Sequence, residues 1–470
     1  MAITSEFMEA GNNGNRTRVR IMLKDIMLVD PTMEKFDEML KYASSKMNDL
    51  YVKRNIIAID LKSFFASCEC IDRGLDPFTT PLVVCNPKQK GAITLAVTPY
   101  LKQFGVPGRC RIYDINKYKF PRGTVIMKAP PRMSLYVEKS KEVIETYLEF
   151  VSKEDMHIYS IDEVLLDVTS YLKMYKLTDY ELALKILKRI KEKTGLTATA
   201  GIGPNLMMAK VAMDIDAKHV KNNIAKWTYD DVETKLWEIT PLSKMWGIGS
   251  RMESNLNKLG LKKIGDIAKY DRYKLKEKFG VIGEELWYHA NGIDLSKISD
   301  FNYAPKDKSI SHSQVLFKDY NGDNVILIIK EMCDVLTKRL RAMNKCTKVI
   351  SFGIGYSRSV GGGFYHSFKR DVPTSDTKEI CNDCLRIFDK YYEDLPIRKV
   401  SIALGGLSDD TGMQLNLFES IEEKVHNKSK DKVVDSIKDK FGANSIIKAS
   451  SLLPDSTAIE RNKKIGGHSA

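Results

Sequence analysis

Two short apolar runs that each meet acid constrain this chain most. Ile56-Ile57-Ala58-Ile59 ends in Asp60, and the corner Tyr159-Ser160-Ile161-Asp162-Glu163 opens into Val164-Leu165-Leu166. Both runs read as strands. Carboxylates at the ends of neighbouring strands can converge on one spot, where they repel unless a cation lies between them. Hard oxygen donors of this kind suit Mg²⁺, which raises the question of two-metal phosphoryl chemistry. Alone, an Asp-Glu pair is more simply an exposed hairpin turn with solvated acids, so the surrounding residues have to decide.

The order of elements helps. Ser63 to Glu69 reads as a helix start, and prolines recurring from Pro77 to Pro131 make the next stretch a small irregular lobe inserted after the first strand. Apolar spacing predicts a helix over 133–151 and another over 180–194, ended by Gly195. A strand over 198–203 follows, then a helix over 205–216 that carries Lys210, with Lys218 just beyond. Strand, helix, helix, hairpin, helix, strand suits a split βαβ palm with helices on one face. Ahead of it, Phe36, Met39, Leu40, Ala43, Met47 and Leu50 fall at helical spacing, with Thr32 near the cap.

At 470 residues the chain is too long for one ordinary core and is expected to hold three or four units. Its net charge of +13 suits a polyanionic partner, nucleic acid first among them. It lacks the ~18-residue apolar run of a membrane span and the pattern of a secretory leader, so a cytoplasmic protein is expected. Cys381 and Cys384 form a CxxC without a second ligand pair at matching spacing. Buried, reduced thiols are expected rather than zinc.

Three further segments bear on function. In Trp246-Gly247-Ile248-Gly249, glycines one apart allow a tight turn and expose amides at a helix start, where phosphate binds. With Leu259-Gly260-Leu261 and the run to Ile267, the segment resembles a helix-hairpin-helix, which holds DNA backbone without reading sequence. Residues 310–407 alternate strand-like runs (349–356, 399–404) with helices (325–343, 376–392) in a cation-rich α+β domain that includes Arg358, Lys369 and Arg370. Just beyond it, Gln414-Leu415-Asn416-Leu417-Phe418 resembles the bacterial sliding-clamp-binding pentapeptide.

Together these pieces carry a wider resemblance. The segments from Asp60 to Glu69 and from Tyr159 to Thr169 are similar to the two signature motifs of Y-family translesion DNA polymerases. Within that family the chain most resembles the UmuC-like branch of Gram-positive bacteria and their mobile elements, over roughly residues 55–465. The resemblance implies an α+β right hand: a UmuC-like catalytic region over 55–240, with a ferredoxin-like palm (55–64 and 128–225) and small fingers (65–127). A helical thumb with the helix-hairpin-helix (226–300), a linker (301–308) and an α+β little finger (309–410) follow. An N-terminal extension (1–54) and a tail with the clamp peptide (411–470) complete the layout.

The resemblance also assigns roles. Asp60 and Asp162, with the Leu61 carbonyl, would bind two Mg²⁺ ions, and Glu163 would hold the ion nearest the primer 3′-hydroxyl. Ser63, Phe64, Phe65, Lys102 and Lys218 would contact the nucleotide, with Phe65 as a steric gate against a ribose 2′-hydroxyl. Gly247, Gly249, Arg251, Arg358, Lys369 and Arg370 would bind DNA, and Gln414, Leu415, Leu417 and Phe418 the clamp. The implied partners are primer-template DNA, deoxynucleoside triphosphates, the sliding clamp and, as further candidates, accessory mutagenesis proteins. The implied activity is error-prone, SOS-type synthesis past DNA lesions. Lys62 departs from the pattern, since many relatives carry an acid there, and Thr98 to Lys102 matches the fingers only loosely. The alternatives are a nucleotidyl cyclase on a similar palm and a non-catalytic DNA- and clamp-binding repair factor. The hairpin, the basic domain and the clamp peptide count against the first, and the intact Asp60, Asp162 and Glu163 against the second.

Overall fold

A computed structural model of the protein describes residues 50–87, 91–302, 309–410 and 421–469. The helix expected over 32–50 falls almost wholly outside the described residues, as do most of the 301–308 linker and all of the 414–418 peptide. The chain divides into two compact units, Met1–Tyr303 and Ala304–Ala470.

In the first unit β1 (Ile56–Leu61) leads into α1 (Phe64–Asp72). Then come β2 (Leu82–Val84), β3 (Ala96–Val97), β4 (Met127–Ala129), α2 (Met133–Tyr147), β5 (Met156–Ile158) and β6 (Glu163–Asp167). After these come α3 (Asp179–Thr194), β7 (Ala198–Gly203), α4 (Leu206–Ala212) and β8 (Ile224–Lys226). The palm sheet runs in the order β5-β6-β1-β7-β8, with β1 antiparallel to both of its neighbours. Helices cover both faces of this sheet, not one as expected. Ile57, Ile59, Val164 and Leu166 pack with Phe64, Val143, Leu182 and Ile186. On the other face Ile56, Ala58 and Leu165 pack with Leu206, Ala209 and Met213. A strand apolar at successive positions must be covered twice. Each buried isoleucine contributes roughly 1.5–3 kcal/mol.

Glycines set how closely α4 lies. A Cβ on Gly201 would stand 2.1 Å from the Ala209 carbonyl oxygen, and one on Gly203 2.4 Å from the Ala209 nitrogen. Only a bare backbone admits the helix there. Its opposite face, Met207, Met208 and Val211, enters a second core with Leu236, Leu256, Leu261, Ile267 and Leu286. That core belongs to the short helices α5 (Ser250–Asn257), α6 (Ile264–Lys269), α7 (Arg272–Phe279) and α8 (Val281–Ala290). The lobe after β1 carries a three-stranded sheet, β3-β2-β4, over Val83, Val97, Leu101 and Ile115. A Thr178–Glu181 capping box starts α3, and Gly195, at φ +72, ends it.

The second unit opens with β9 (Ile310–Tyr320), α9 (Gly322–Ala342), β10 (Lys345–Tyr356) and β11 (Gly363–Thr374). It continues with α10 (Thr377–Tyr391) and β12 (Ile397–Gly405). The sheet order is β11-β10-β12-β9. Val325, Ile329, Leu336, Ile380 and Cys384 of its helices cover Ile350, Phe352, Val400 and Ile402. Cys381 and Cys384 are buried free thiols within α10.

Residues 421–469 fold back onto this domain rather than trailing from it. Along α11 (Ile421–Phe441), Asp435 accepts from Arg341 Nε at 2.7 Å and Asp431 from Arg341 Nη1 at 3.0 Å. Farther on, the Thr457 hydroxyl donates to Glu331 at 3.0 Å and accepts from Gln314 at 3.0 Å. Among the described residues no helix is long and apolar enough to cross a membrane.

Candidate active site

The antiparallel register of β1 and β6 sets Asp60 directly opposite Glu163. Opposed residues of a sheet share a face. Here it is the face of Ile56, Ala58 and Leu165, which α4 covers. Asp162 stands one residue before the strand, and its carbonyl accepts from the Leu61 amide at 3.0 Å. The Ser160 hydroxyl donates to Asp162 Oδ1 at 2.7 Å, and Ser140 donates to the Ile161 carbonyl at 2.6 Å. The corner is thus fastened on both sides.

The helix that Gly201 and Gly203 admit delivers the counter-charges. Beyond Ala212 it continues as a π turn, Met213–Ala217, a form that recurs at functional sites. Lys210, Asp214 and Lys218 follow at four-residue intervals. Lys210 pairs with Glu163 and, at 2.9 Å, with Asp214. Lys218 bridges Asp60 at 3.1 Å and Asp214 at 2.9 Å.

Burial raises the Asp60 pKa, and the nearby Asp162 charge adds to this against the pull of Lys218. Burial likewise raises Glu163, with Asp60 and Asp214 adding and Lys210 opposing. For Lys218, burial pulls the pKa down but Asp60 and Asp214 more than reverse it. Among the described residues, no three His, Cys, Asp or Glu side chains stand together as a metal group. Two of the acids are turned to lysines instead. The donor chemistry nevertheless fits a hard divalent cation: Asp60, Asp162 and Glu163 offer carboxylate oxygens and Leu61 a backbone carbonyl oxygen.

The expected nucleotide contacts separate. Ser63 reverses the chain at φ +50, and its buried hydroxyl has no partner among the described residues. A non-glycine residue held in that region marks local strain. Phe64 is only 2% exposed and belongs to the core. Phe65 is half-buried and stacks on Tyr136, with ring centroids 4.6 Å apart. Behind the stack the Tyr136 hydroxyl donates to Glu69 at 2.7 Å, and Arg132 donates to the same carboxylate at 3.0 and 2.8 Å. Lys102 is exposed.

The expected DNA contacts also divide. Gly247, at φ +89, leads into Gly249, the N-cap of α5, and Arg251 is exposed on that helix. Arg358 and Lys369 are exposed in the second unit. Arg370 is instead an internal brace, paired with Glu379 at 2.5 Å and with Asp383. Sequence reasoning did not assign Lys210, Asp214, Tyr136 or Glu69 to the site. The four-residue spacing from Lys210 to Lys218 was the available signal for two of them.

Comparisons with known proteins agree with this layout. Residues 59–214 match the impB/mucB/samB family, 229–261 the HHH motif of the IMS family, and 307–417 the impB/mucB/samB C-terminal domain. A candidate UV-damage repair protein of Bacillus subtilis, UvrX, is 40% identical over 89% of this chain and 98% of its own length. DNA polymerase IV 2 of Bacillus subtilis is 33% identical over 88% of this chain and 98% of its own length. A solved Y-family DNA polymerase chimera, Dbh-Dpo4(243-245)-Dbh, superposes with a TM-score of 0.57 at 21% identity. That match covers 76% of this chain and 99% of the chimera. With these relatives matched across nearly their whole length, the chain belongs to the impB/mucB/samB family and has the Y-family DNA polymerase fold.

Proposed function

We propose that the chain is a template-directed DNA polymerase that adds deoxynucleotides to a primer 3′-hydroxyl past damaged template positions, in error-prone repair. The observation that carries this reading is the Asp60–Glu163 cross-strand pair, with Asp162 beside it and a stacked aromatic, Phe65, at the second residue of α1. Asp60, Asp162, Glu163 and the Leu61 carbonyl would hold two Mg²⁺ ions. Bound there, such ions lower the pKa of the primer hydroxyl and neutralise the triphosphate and the departing pyrophosphate.

The rest is positioning by the protein's own residues. The primer 3′-oxygen bonds to the α-phosphorus as pyrophosphate leaves from the opposite side. Lys218 and Lys102 supply cationic donors to the triphosphate. The Phe65 ring, backed by Tyr136, fills the space that a ribose 2′-hydroxyl would need. Gly247, Gly249 and Arg251 hold the DNA backbone, and Arg358 and Lys369 add phosphate contacts. Gln414, Leu415, Leu417 and Phe418 tether the enzyme to a sliding clamp, and accessory mutagenesis proteins are further candidate partners.

Primer extension tests the reading. Extension should require Mg²⁺ and vanish in Asp162→Ala and Glu163→Ala. Intact DNA binding without any extension by the wild type would instead indicate a non-catalytic repair factor. Removal of Leu417 and Phe418 should abolish clamp-stimulated synthesis and spare basal synthesis.

A further inference from the structure

Phe65 and Glu69 stand four residues apart on α1, so they share a face of that helix. Arg132 and Tyr136 are spaced in the same way at the start of α2, where the Tyr136 amide donates to the Arg132 carbonyl at 3.2 Å. The two pairs meet. The Tyr136 ring stacks on Phe65, with 26° between the planes and 4.6 Å between the centroids, while its hydroxyl donates to Glu69 at 2.7 Å. Arg132 donates to both oxygens of that carboxylate and, at 2.6 Å, to Asp72 farther along α1. Arg73 closes the remaining side: it pairs with the carboxylate and donates to the Glu69 carbonyl at 2.7 Å.

Tyr136 and Glu69 are fully buried, whereas Phe65 is only half-buried. The inner face of the Phe65 ring therefore rests on a group that cannot shift without breaking a charge-assisted hydrogen bond. Phe64 fills the corner, its centroid 5.7 Å from that of Phe65 and 6.5 Å from that of Tyr136. Stiffness of this kind bears on selectivity. A ring excludes an oxygen by overlap only as strongly as the ring resists being pushed aside. A half-exposed phenylalanine has little of its own to hold it, so the resistance lies in the wall behind it. Packing alone does not call for this wall. An apolar side chain at position 136 would fill the same space and spare the chain a buried carboxylate with its two guanidinium partners.

We propose that Tyr136, held by Glu69 and Arg132, is a positioning residue that sets how strictly Phe65 rejects ribonucleotides. Tyr136 touches no substrate and acts through the Phe65 ring. The proposal rests on the polymerase reading above, with Phe65 as its gate. Sugar selectivity is then a property of two helices locked face to face, and not of the gate residue alone.

The test is single-nucleotide incorporation of dATP and of ATP by the full chain, with kcat/KM measured for each. The proteins compared are wild type, Phe65→Ala, Tyr136→Phe, Tyr136→Leu and the double variant Phe65→Ala/Tyr136→Leu, each with its melting temperature. The ratio of kcat/KM for dATP to that for ATP should fall about tenfold in Tyr136→Leu. It should fall about threefold in Tyr136→Phe, which keeps the stack and loses the hydroxyl. Once Phe65 is alanine, Tyr136→Leu should lower the ratio no further. A merely structural tyrosine would slow both nucleotides alike and leave the ratio at its wild-type value. That outcome in Tyr136→Leu, or in Tyr136→Phe should Tyr136→Leu not fold, overturns the proposal. So does an equal fall in the Phe65→Ala background, because Tyr136 would then act without the ring. A Phe65→Ala that rejects ATP as wild type does removes the gate, and a wild type that incorporates neither nucleotide removes the polymerase reading. Either result takes the proposal with it.

Discussion

Glu69 and Glu163 lie on opposite sides of the palm sheet, both screened from water, and the protein treats them in opposite ways. Glu69 is fully buried and closed in by Arg132, Arg73 and Tyr136. Burial pushes its pKa up, but hydrogen bonds from Arg132, Tyr136 and Arg73 outweigh this and hold it low. Glu163 has one lysine, shared with Asp214, and faces another acid, so burial prevails and its pKa is raised. A carboxylate with all its partners is part of the scaffold, here the wall behind Phe65. One left short of positive charge is poised for charge brought in by a ligand.

The sharpest break of this contrast is Glu69→Ala. It leaves the buried Tyr136 hydroxyl without its acceptor and opens both guanidinium pairs, and should cost about 3 kcal/mol in urea unfolding. A loss near zero would mean that the pair is not a closed unit. Next is the ring that this wall supports. Phe65→Ala should raise ribonucleotide incorporation by roughly 10²-fold, and a mutant as selective as wild type would show that Phe65 is not the gate. Gly201→Ala forces a Cβ against the Ala209 carbonyl and should cost about 1–3 kcal/mol. It should also lower activity, because Lys210, Asp214 and Lys218 ride on that helix.

The smallest effect is the most discriminating one. In chelator at pH 7, Glu69→Gln should lower the melting temperature, whereas Glu163→Gln should leave it unchanged or raise it. The signs follow from linkage. The folded pKa of Glu69 lies below its ordinary 4.5, so its contribution is present above that value and is lost as pH falls through the folded pKa. Glu163 lies above its ordinary 4.5, so its contribution is full below that value and is lost as pH rises through the folded pKa. Melting curves recorded from pH 3 to pH 8 would separate the two residues.

The site's acids were legible because each ends or opens an apolar run, and such runs become the central strands β1 and β6. The strand over 198–203 was legible in the same way, and appears as β7. The second face of the sheet was not. Helix propensity over 205–216 gives no hint that Gly201 and Gly203 let the helix touch backbone, or that it loosens into a π turn at Met213. Lys210 therefore read as one helical lysine among many. β9 and β11 were not singled out, since Ser, His, Lys and Arg interrupt their apolar residues and one face of each is open. Residues 421–469 read as a tail because α11 is polar around most of its circumference. What fastens them are ion pairs such as Arg341–Asp431 and Arg341–Asp435, whose partners lie far apart in sequence.

In the proposed function, Asp60, Asp162 and Glu163 form one centre for nucleotide transfer. Single-nucleotide incorporation on a primer-template, with and without Mg²⁺, tests it most directly when wild type is compared with Asp162→Asn of unchanged melting temperature. Wild type should show Mg²⁺-dependent incorporation, and the folded variant a loss of about 10³-fold or more. Incorporation by Asp162→Asn at the wild-type rate would contradict it.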